Sequence, residues 1–514
     1  MLVRLFDKII GMINDVKNLP TDPDALQKMV LSLQSQVKNL TEEKLQLIEL
    51  FRIGQQQRFG ASSEAHPAQG DLFNEAEVEL DASEDEEETI TTTTVKKKPA
   101  RDKLPKDLPR ETVIHDIEDK SCTCCGNDLH QMGDERSEKL EFIPAQVKVI
   151  EHIRLKYSCR SCEQEGTSTK IQIAPVPRSP IPKGIATATL LSQIITSKYQ
   201  YALPLYRQES MFKQYGIRLS RKTMASWMMK SATRFEPLYA LLQKILLQQN
   251  VIQADETTLK VINEDKVKSY MWLYCTGSDS PTDNVIPNIV LYDYQGGRAG
   301  QCAVDYLQGF TGYLQVDGYA GYEKTSATLV GCWAHARRKF MEAKTAQPKG
   351  KSGKADMALS MIQKLYRIET SLKDKNVDEK YQLRQKKSKP LLAKLYQWLA
   401  KANVVTKSAL GKAIGYCQNQ WHKLSRYIED GNLTIDNNRA ERAVKPFVIG
   451  RKNWLFSNTA NGARASAMLY SIIETAKANG LIPFDYIVHC LEQLSGDVDE
   501  KTIEAMLPWN VKLG

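Results

Sequence analysis

Leu26, Leu33, Leu40 and Leu47 recur every seven residues, and Val30, Val37, Lys44 and Phe51 fill the companion seam. Four heptads of this kind predict a helix with a coiled-coil stripe, in which Lys44 is the polar break that sets register. After RFGASSE the pattern collapses. Residues 61–110 run acidic, then threonine-rich from Thr91 to Thr94, then lysine- and proline-rich, so they can bury no core and predict a flexible linker. A strand-like run, VKVIEHIRLKYSC, comes next. Residues 180–245 have helical patterning, and LYRQESMFKQYG followed by IRLSRKTMASWMMKSA predicts helix, turn, helix, with Gly216 at the turn and Ser220 as the second N-cap.

From about residue 250 the period changes from helical to two. VIQADETTLKVI, KSYMWLYCTG and NVIPNIVLYDY predict three consecutive strands. A helical stretch near GQCAVDYLQGF, the strand TGYLQVD, a short helix, the strand TLVGCW and another helix complete the run. Three strands, helix, strand, short helix, strand, helix is the order of a mixed sheet of the ribonuclease H type. Residues 341–430 are lysine-rich and helix-patterned in MALSMIQKLYRI and PLLAKLYQWLAKA, which predicts a helical insertion. The core then resumes at Asn432 and runs through one long helix to about Asn479.

The expected class is multidomain α+β: an N-terminal coiled coil, a zinc-binding β module, a helical DNA-binding region, and a ribonuclease H-like mixed-sheet core with a helical insertion. The expected bounds are 1–60 for the N-terminal helices and coiled coil, 61–110 for the linker and 111–178 for the zinc module. The helix-turn-helix-like region takes 179–248, the first part of the core 249–340, the insertion 341–430, the last part of the core 431–495 and a tail 496–514.

Charge sharpens the picture. The formal net charge is +9, yet residues 71–88 hold ten acids and no lysine or arginine, so the rest of the chain is much more basic than the total implies. A polyanionic partner, nucleic acid first, suits that balance. No apolar run is long enough for a transmembrane helix and no secretory signal is legible, so no membrane partner is expected and the location is cytoplasmic. The ten cysteines are clustered, which favours a metal site over a disulfide framework. Cys122 and Cys125, then Cys159 and Cys162, form two knuckles that offer four thiolates to one structural zinc, with Cys124 as the spare thiol.

Three acids carry the candidate chemistry. Asp255 and Asp317 each lie in or end an apolar strand, and Glu441 lies in a polar helical run, DNNRAERAV. Two strand-borne aspartates and a helix-borne glutamate suit a site for two divalent cations, Mg2+ or Mn2+, at a phosphodiester. Glu256 neighbours Asp255, but strand alternation lets only one of them face a site. Asp436 is the rival of Glu441. GCWAHARRKF supplies Cys332 and His335 as active-site support, with Asn438 a further candidate, and Arg337, Arg338 and Lys339 as phosphate ligands. Arg218, Arg221 and Lys222 crowd the start of the second helix of the helical pair. Arg439, Arg442, Lys445, Arg451, Lys452 and Trp454 read as a phosphate track with a stacking aromatic.

These pieces together resemble the insertion-sequence 66 family of bacterial DDE-type transposases. RFGASSE, LPKDLPRE, the paired CxxC knuckles, LPLYRQE, ADETTL, VDGYAGY, GCWAHARRKF and DNNRAERAVKPFVIGRKNWLF followed by Gly462 carry the likeness, from about residue 26 to 495. The resemblance implies Asp255, Asp317 and Glu441 as the catalytic acids with magnesium, zinc at the knuckles, and DNA binding through the N-terminal half. It further implies help from two small accessory proteins of the same element. The expected activity is then binding of the element's terminal inverted repeats, 3′-end cleavage and strand transfer into target DNA, by a homodimer or larger assembly on nucleoid DNA. A structure-specific nuclease without strand transfer and a zinc-containing DNA-binding regulator with a decayed nuclease fold are the alternatives.

Overall fold

The computed structural model describes residues 22–59, 112, 147–157, 172–264, 268–277, 286–346, 353–496 and 498–512. The chain divides into two compact units, one of residues 86–175 and one of residues 1–85 with 176–514. The expected linker and all four knuckle cysteines lie outside the described residues. In the smaller unit the strand-like run is mostly without regular structure. Its end, β1 (Lys156–Tyr157), pairs antiparallel with β2 (Gln172–Ile173). Arg154 Nε donates to Ala174 O at 2.7 Å beside this pair.

The heptad segment is one helix, α1 (Pro23–Phe59), and Leu26, Leu33, Leu40 and Leu47 all lie exposed on it. The helical pair forms as its turn signals dictate. Helices α2 (Ala188–Tyr199) and α3 (Leu205–Gln214) precede a turn in which Gly216 adopts φ 76°, a backbone state that costs a side chain but not glycine. Ser220 then accepts the Thr223 N–H at 3.1 Å and caps α4 (Arg221–Leu247), a bond worth about 1 kcal/mol. The buried side chains of α4, among them Trp227, Phe235 and Leu242, share one apolar cluster with the sheet. The helical region is therefore a layer on the sheet.

The sheet has five strands: β3 (Val251–Leu259), β4 (Ser269–Thr276), β5 (Ile289–Gln295), β6 (Tyr313–Gln315) and β7 (Thr328–Val330). Their spatial order is β5-β4-β3-β6-β7. The first three run antiparallel to one another, whereas β6 and β7 are parallel to β3. Between β5 and β6 lies α5 (Gly300–Tyr306), and α6 (Trp333–Thr345) follows β7. Strand β3 sits at the centre. Ile252 and Ala254 point into the cluster shared with α4, while Val251 joins a second cluster with Trp333, Phe340 and Leu395.

The 341–430 segment supplies α7 (Lys354–Thr370), α8 (Val377–Leu383), α9 (Lys389–Lys401) and α10 (Ala409–Leu424), of which α7, α9 and α10 share that second cluster with α6. Arg384 ties the bundle together: it is buried, pairs with Glu369 and donates to the carbonyls of Tyr427, Asp430 and Leu433.

The single long helix expected after Asn432 is two helices, α11 (Asn438–Trp454) and α12 (Ala460–Ala478), followed by α13 (Pro483–Gln493) and α14 (Glu500–Ala505). The break has a physical reason. Leu455 adopts φ 65°, and the released segment runs beside the end of β3, where Ser457 N donates to Lys260 O and Ile262 N to Ser457 O, both at 3.0 Å. Thr459 then caps α12. On the far side α12 blunts the edge strand β5. Thr475 Oγ1 donates to Val290 O at 2.9 Å and accepts from Val290 N at 3.1 Å, and Ser471 Oγ accepts from Tyr292 N at 2.8 Å. No described helix is long and apolar enough to cross a membrane.

Candidate active site

Register brings the first two acids together. Gln253 of β3 lies opposite Gln315 of β6 in the parallel pair. The pairing ends at these glutamines, and Asp317 follows two residues beyond β6, close enough for its charge to act on Asp255. The glutamines position the third acid. Gln315 Nε2 donates to the carbonyls of Thr434 at 2.6 Å and Asp436 at 2.8 Å, and Gln253 Nε2 to Thr434 Oγ1 at 3.3 Å. Asn437 then donates its side-chain N–H to Ala254 O at 2.8 Å, beside Asp255, and its backbone N–H to Cys332 Sγ at 3.3 Å. Helix α11 therefore starts at the sheet, and Glu441 lies in its first turn, 2% exposed.

Around Glu441 stand the residues of GCWAHARRKF. Glu441 Oε1 is 3.3 Å from His335 Nδ1 and 3.9 Å from Cys332 Sγ, and Oε2 is 3.8 Å from an Arg338 nitrogen. Cys332 ends the link from β7, and His335 and Arg338 follow on one face of α6. Glu441 Oε2 and His335 Nδ1 are both buried without a hydrogen-bond partner.

The carboxyls feel one another. Burial, and then the charges of Glu256, Glu441 and Asp317, push Asp255 well above the usual carboxylate range. Glu441 is pushed up to about 8 by burial, with Asp436 and Asp317 adding to the shift and Arg338 opposing it. Burial and then Arg338 lower His335 to about 4, so its imidazole is neutral at ordinary pH. Three repelling carboxyls, one with an orphaned buried oxygen, are short of positive charge. Their all-oxygen donor set fits hard divalent cations such as Mg2+ or Mn2+.

The rivals are resolved. Glu256 points to the opposite face, where Arg298 pairs with it and Tyr322 donates to Oε2 at 2.6 Å. Asp436 accepts from Asn438 N at 3.2 Å, Asn438 Nδ2 at 2.9 Å and Tyr366 OH at 3.0 Å, which makes it an anchor for the start of α11. VDGYAGY becomes legible in the same way. After Asp317, Gly318 leaves room for the ring of Tyr416, which a Cβ would meet at 3.0 Å. Tyr319 lies under the Arg298 guanidinium, 3.9 Å from carbon to ring centre, and Tyr322 reaches Glu256.

A family model described as "Transposase IS66 family" matches residues 183–465. The chain belongs to the IS66 transposase family. Three further models of the family tile the remainder: "Transposase C of IS166 homeodomain" over 46–113, "zinc-finger binding domain of transposase IS66" over 119–163, and "IS66 C-terminal element" over 471–509. Two relatives from Sinorhizobium fredii (strain NBRC 101917 / NGR234) span it end to end. Uncharacterized protein y4jD is 32% identical over 96% of this chain and 98% of its own length, and uncharacterized protein y4qI is 31% identical over 98% and 99%. No solved structure matches.

In this IS66-family chain the zinc-finger match encloses Cys122, Cys125, Cys159 and Cys162. The basic residues expected on DNA separate into two groups. Arg218, Arg221, Lys222 and Lys452 are exposed, and Arg338, Lys339, Arg442 and Lys445 are partly exposed. Arg337 and Arg439 are buried instead: Arg439 Nε donates to Thr276 O at 3.1 Å, and its guanidinium also reaches Asn288, so it clamps α11 to β4. Arg451 is half-spent on β3, donating to Thr257 Oγ1 at 3.1 Å. Trp454 is not an open stacking platform either. Its ring packs edge-on against Phe447 at 5.5 Å and its Nε1 is buried, because β3 draws the chain in just beyond it. Gln253, Gln315 and Tyr416 escaped the sequence reading, and Asn437, read there as one amide of the phosphate track, instead ties α11 to β3. The glutamines carried a signal, since each stands two residues before a candidate aspartate.

Proposed function

We propose that this IS66-family chain is a DNA transposase with a ribonuclease H-like core, which cleaves a phosphodiester at each end of its element and joins the freed 3′-hydroxyl to target DNA. The observation that carries this reading is the convergence of Asp255, Asp317 and Glu441, where burial first and neighbouring carboxylates second raise both Asp255 and Glu441. Mg2+ or Mn2+ held by these three acids would supply the Lewis acidity that activates water or a 3′-hydroxyl and stabilises the departing 3′-oxygen.

The remaining roles belong to the chain's own groups. Asn437, Gln253 and Gln315 fix the third acid against the sheet. His335, neutral beside Glu441, stands 3.3 Å from that carboxylate without competing as a cation. Arg338 and Lys339 stand at the mouth of the site as phosphate ligands. Arg218, Arg221 and Lys222 form an exposed basic start to α4 for DNA contact. Zinc held by Cys122, Cys125, Cys159 and Cys162 would order the N-terminal DNA-binding part. Two element ends need two active sites, and the exposed leucine stripe of α1 offers a dimer seam. The partners are the terminal inverted repeats, target DNA in the nucleoid, and two small accessory proteins of the element.

The test is incubation of the purified chain with DNA carrying the element ends and Mg2+. Joined products are expected. Cleavage without joining would leave a nuclease, and binding without cleavage a regulator.

A further inference from the structure

The pocket on the helix side of Glu441 differs in chemistry from the carboxylate side. Cys332 Sγ, a ring nitrogen of His335 and a Glu441 oxygen all lie within 4.8 Å of one another. Bonds of about 2.0–2.3 Å to a tetrahedral ion put ligand atoms roughly 3.3–3.8 Å apart, and the measured separations of 3.3 Å and 3.9 Å to Glu441 Oε1 fall close to that range. The sulfur is buried and accepts the Asn437 N–H, a bond that also suits a metal-bound thiolate. His335 Nδ1 and Glu441 Oε2 have no hydrogen-bond partner, and Glu441 is more than nine-tenths buried. A sulfur, an imidazole nitrogen and one carboxylate select a zinc-class ion over Mg2+. Arg338 near Glu441 Oε2 is the opposing charge, and its partly exposed side chain has solvent to move into.

We propose that Cys332, His335 and Glu441 form a second metal site, which takes Zn2+ or a similar thiophilic divalent ion and, when filled, withdraws Glu441 from the catalytic cluster and stops cleavage. Binding transfers the Cys332 thiol proton, and the proton that Glu441 carries in the metal-free chain, to solvent and leaves one coordination position open. The site is distinct from the cysteine knuckles, and only its effect on cleavage rests on the transposase reading.

The experiment uses the full chain, zinc-replete at its knuckles and free of Mg2+, titrated with Zn2+ and, in parallel, Co2+. Metal content and the thiolate-to-cobalt charge-transfer band are read for wild type, Cys332→Ser and His335→Gln. Wild type is expected to hold one more ion per chain than either variant. With Mg2+ in excess, added Zn2+ should cut wild-type end cleavage about tenfold or more, and each variant much less, relative to its own zinc-free rate. Equal metal content in all three proteins, or equal inhibition, overturns the proposal. If Cys332→Ser fails to fold, His335→Gln decides, because that side chain is partly exposed. A wild type inert in Mg2+ alone would count against the transposase reading, and the metal count would still judge this site.

Discussion

Asp255 and Glu256 are neighbours on one strand and live in opposite conditions. Glu256 is fully served: Arg298 pairs with it, Tyr322 donates to it, and Tyr319 holds the arginine in place. Asp255 accepts only the Glu256 N–H among the described hydrogen bonds, and the charges of Glu256, Glu441 and Asp317 all act against its ionisation. A buried acid with partners is architecture, and a buried acid among other acids is a site waiting for a cation. The difference teaches that partners, more than burial, separate structural from chemical carboxylates here.

The largest effect expected from this contrast is on chemistry. Asp255→Asn should lower end cleavage by about 10³-fold or more while leaving thermal stability equal or higher, because a repulsion is removed. Cleavage assays and thermal unfolding on the same preparation check it, and a collapsed fold would erase the distinction. Glu256→Gln should do the reverse. Stripping Arg298 of its carboxylate should cost about 1–3 kcal/mol, seen as a lower unfolding midpoint, with cleavage retained at temperatures where the variant is folded. A Glu256→Gln protein that is stable and inert would show that both faces of the strand belong to the active site.

Protons offer a third way in. Glu441 titrates at about 8 in the folded chain against an ordinary 4.5, so the folded state keeps a proton that the unfolded chain loses. Stability of the metal-free protein should therefore fall as pH rises from about 4.5 to about 8. Mg2+ should restore it, with a thermal shift larger near pH 8 than near pH 6 because ions displace fewer protons there. A shift independent of pH would sever Glu441 from the cation site. The smallest effect concerns the cations. Arg221→Ala should weaken DNA binding and reduce its salt slope by about one, whereas Arg439→Met should lower stability and leave the slope of the folded protein unchanged. Binding isotherms at several salt concentrations separate the two.

Much of the site was legible in the chain. Period-two runs located the strand that carries Asp255 and the strand that ends two residues before Asp317, and alternation alone sent Glu256 to the other face. Ser220 and Gly216 announced the cap and turn that the structure has. Other features depend on contacts between distant segments. The helix broke at Leu455 because residues 456–458 join the end of β3, and nothing in the local pattern of α11 encodes that partner. Arg439 and Arg442 read alike in DNNRAERAV, and only the fold buries Arg439 against the carbonyl of Thr276. Tyr416 lies in the insertion, far along the chain from the Gly318 it touches.

The bond from Asn437 to Ala254 has a consequence for synthesis. A ribosome completes the two aspartate strands long before residue 441 emerges, and the hydroxyls of Ser471 and Thr475 that cover β5 come later still. Until then the nascent chain holds a sheet with a bare margin and an acid pair without its third member. A chain released early therefore keeps an uncovered strand edge, and the three acids come together only with nearly the whole polypeptide.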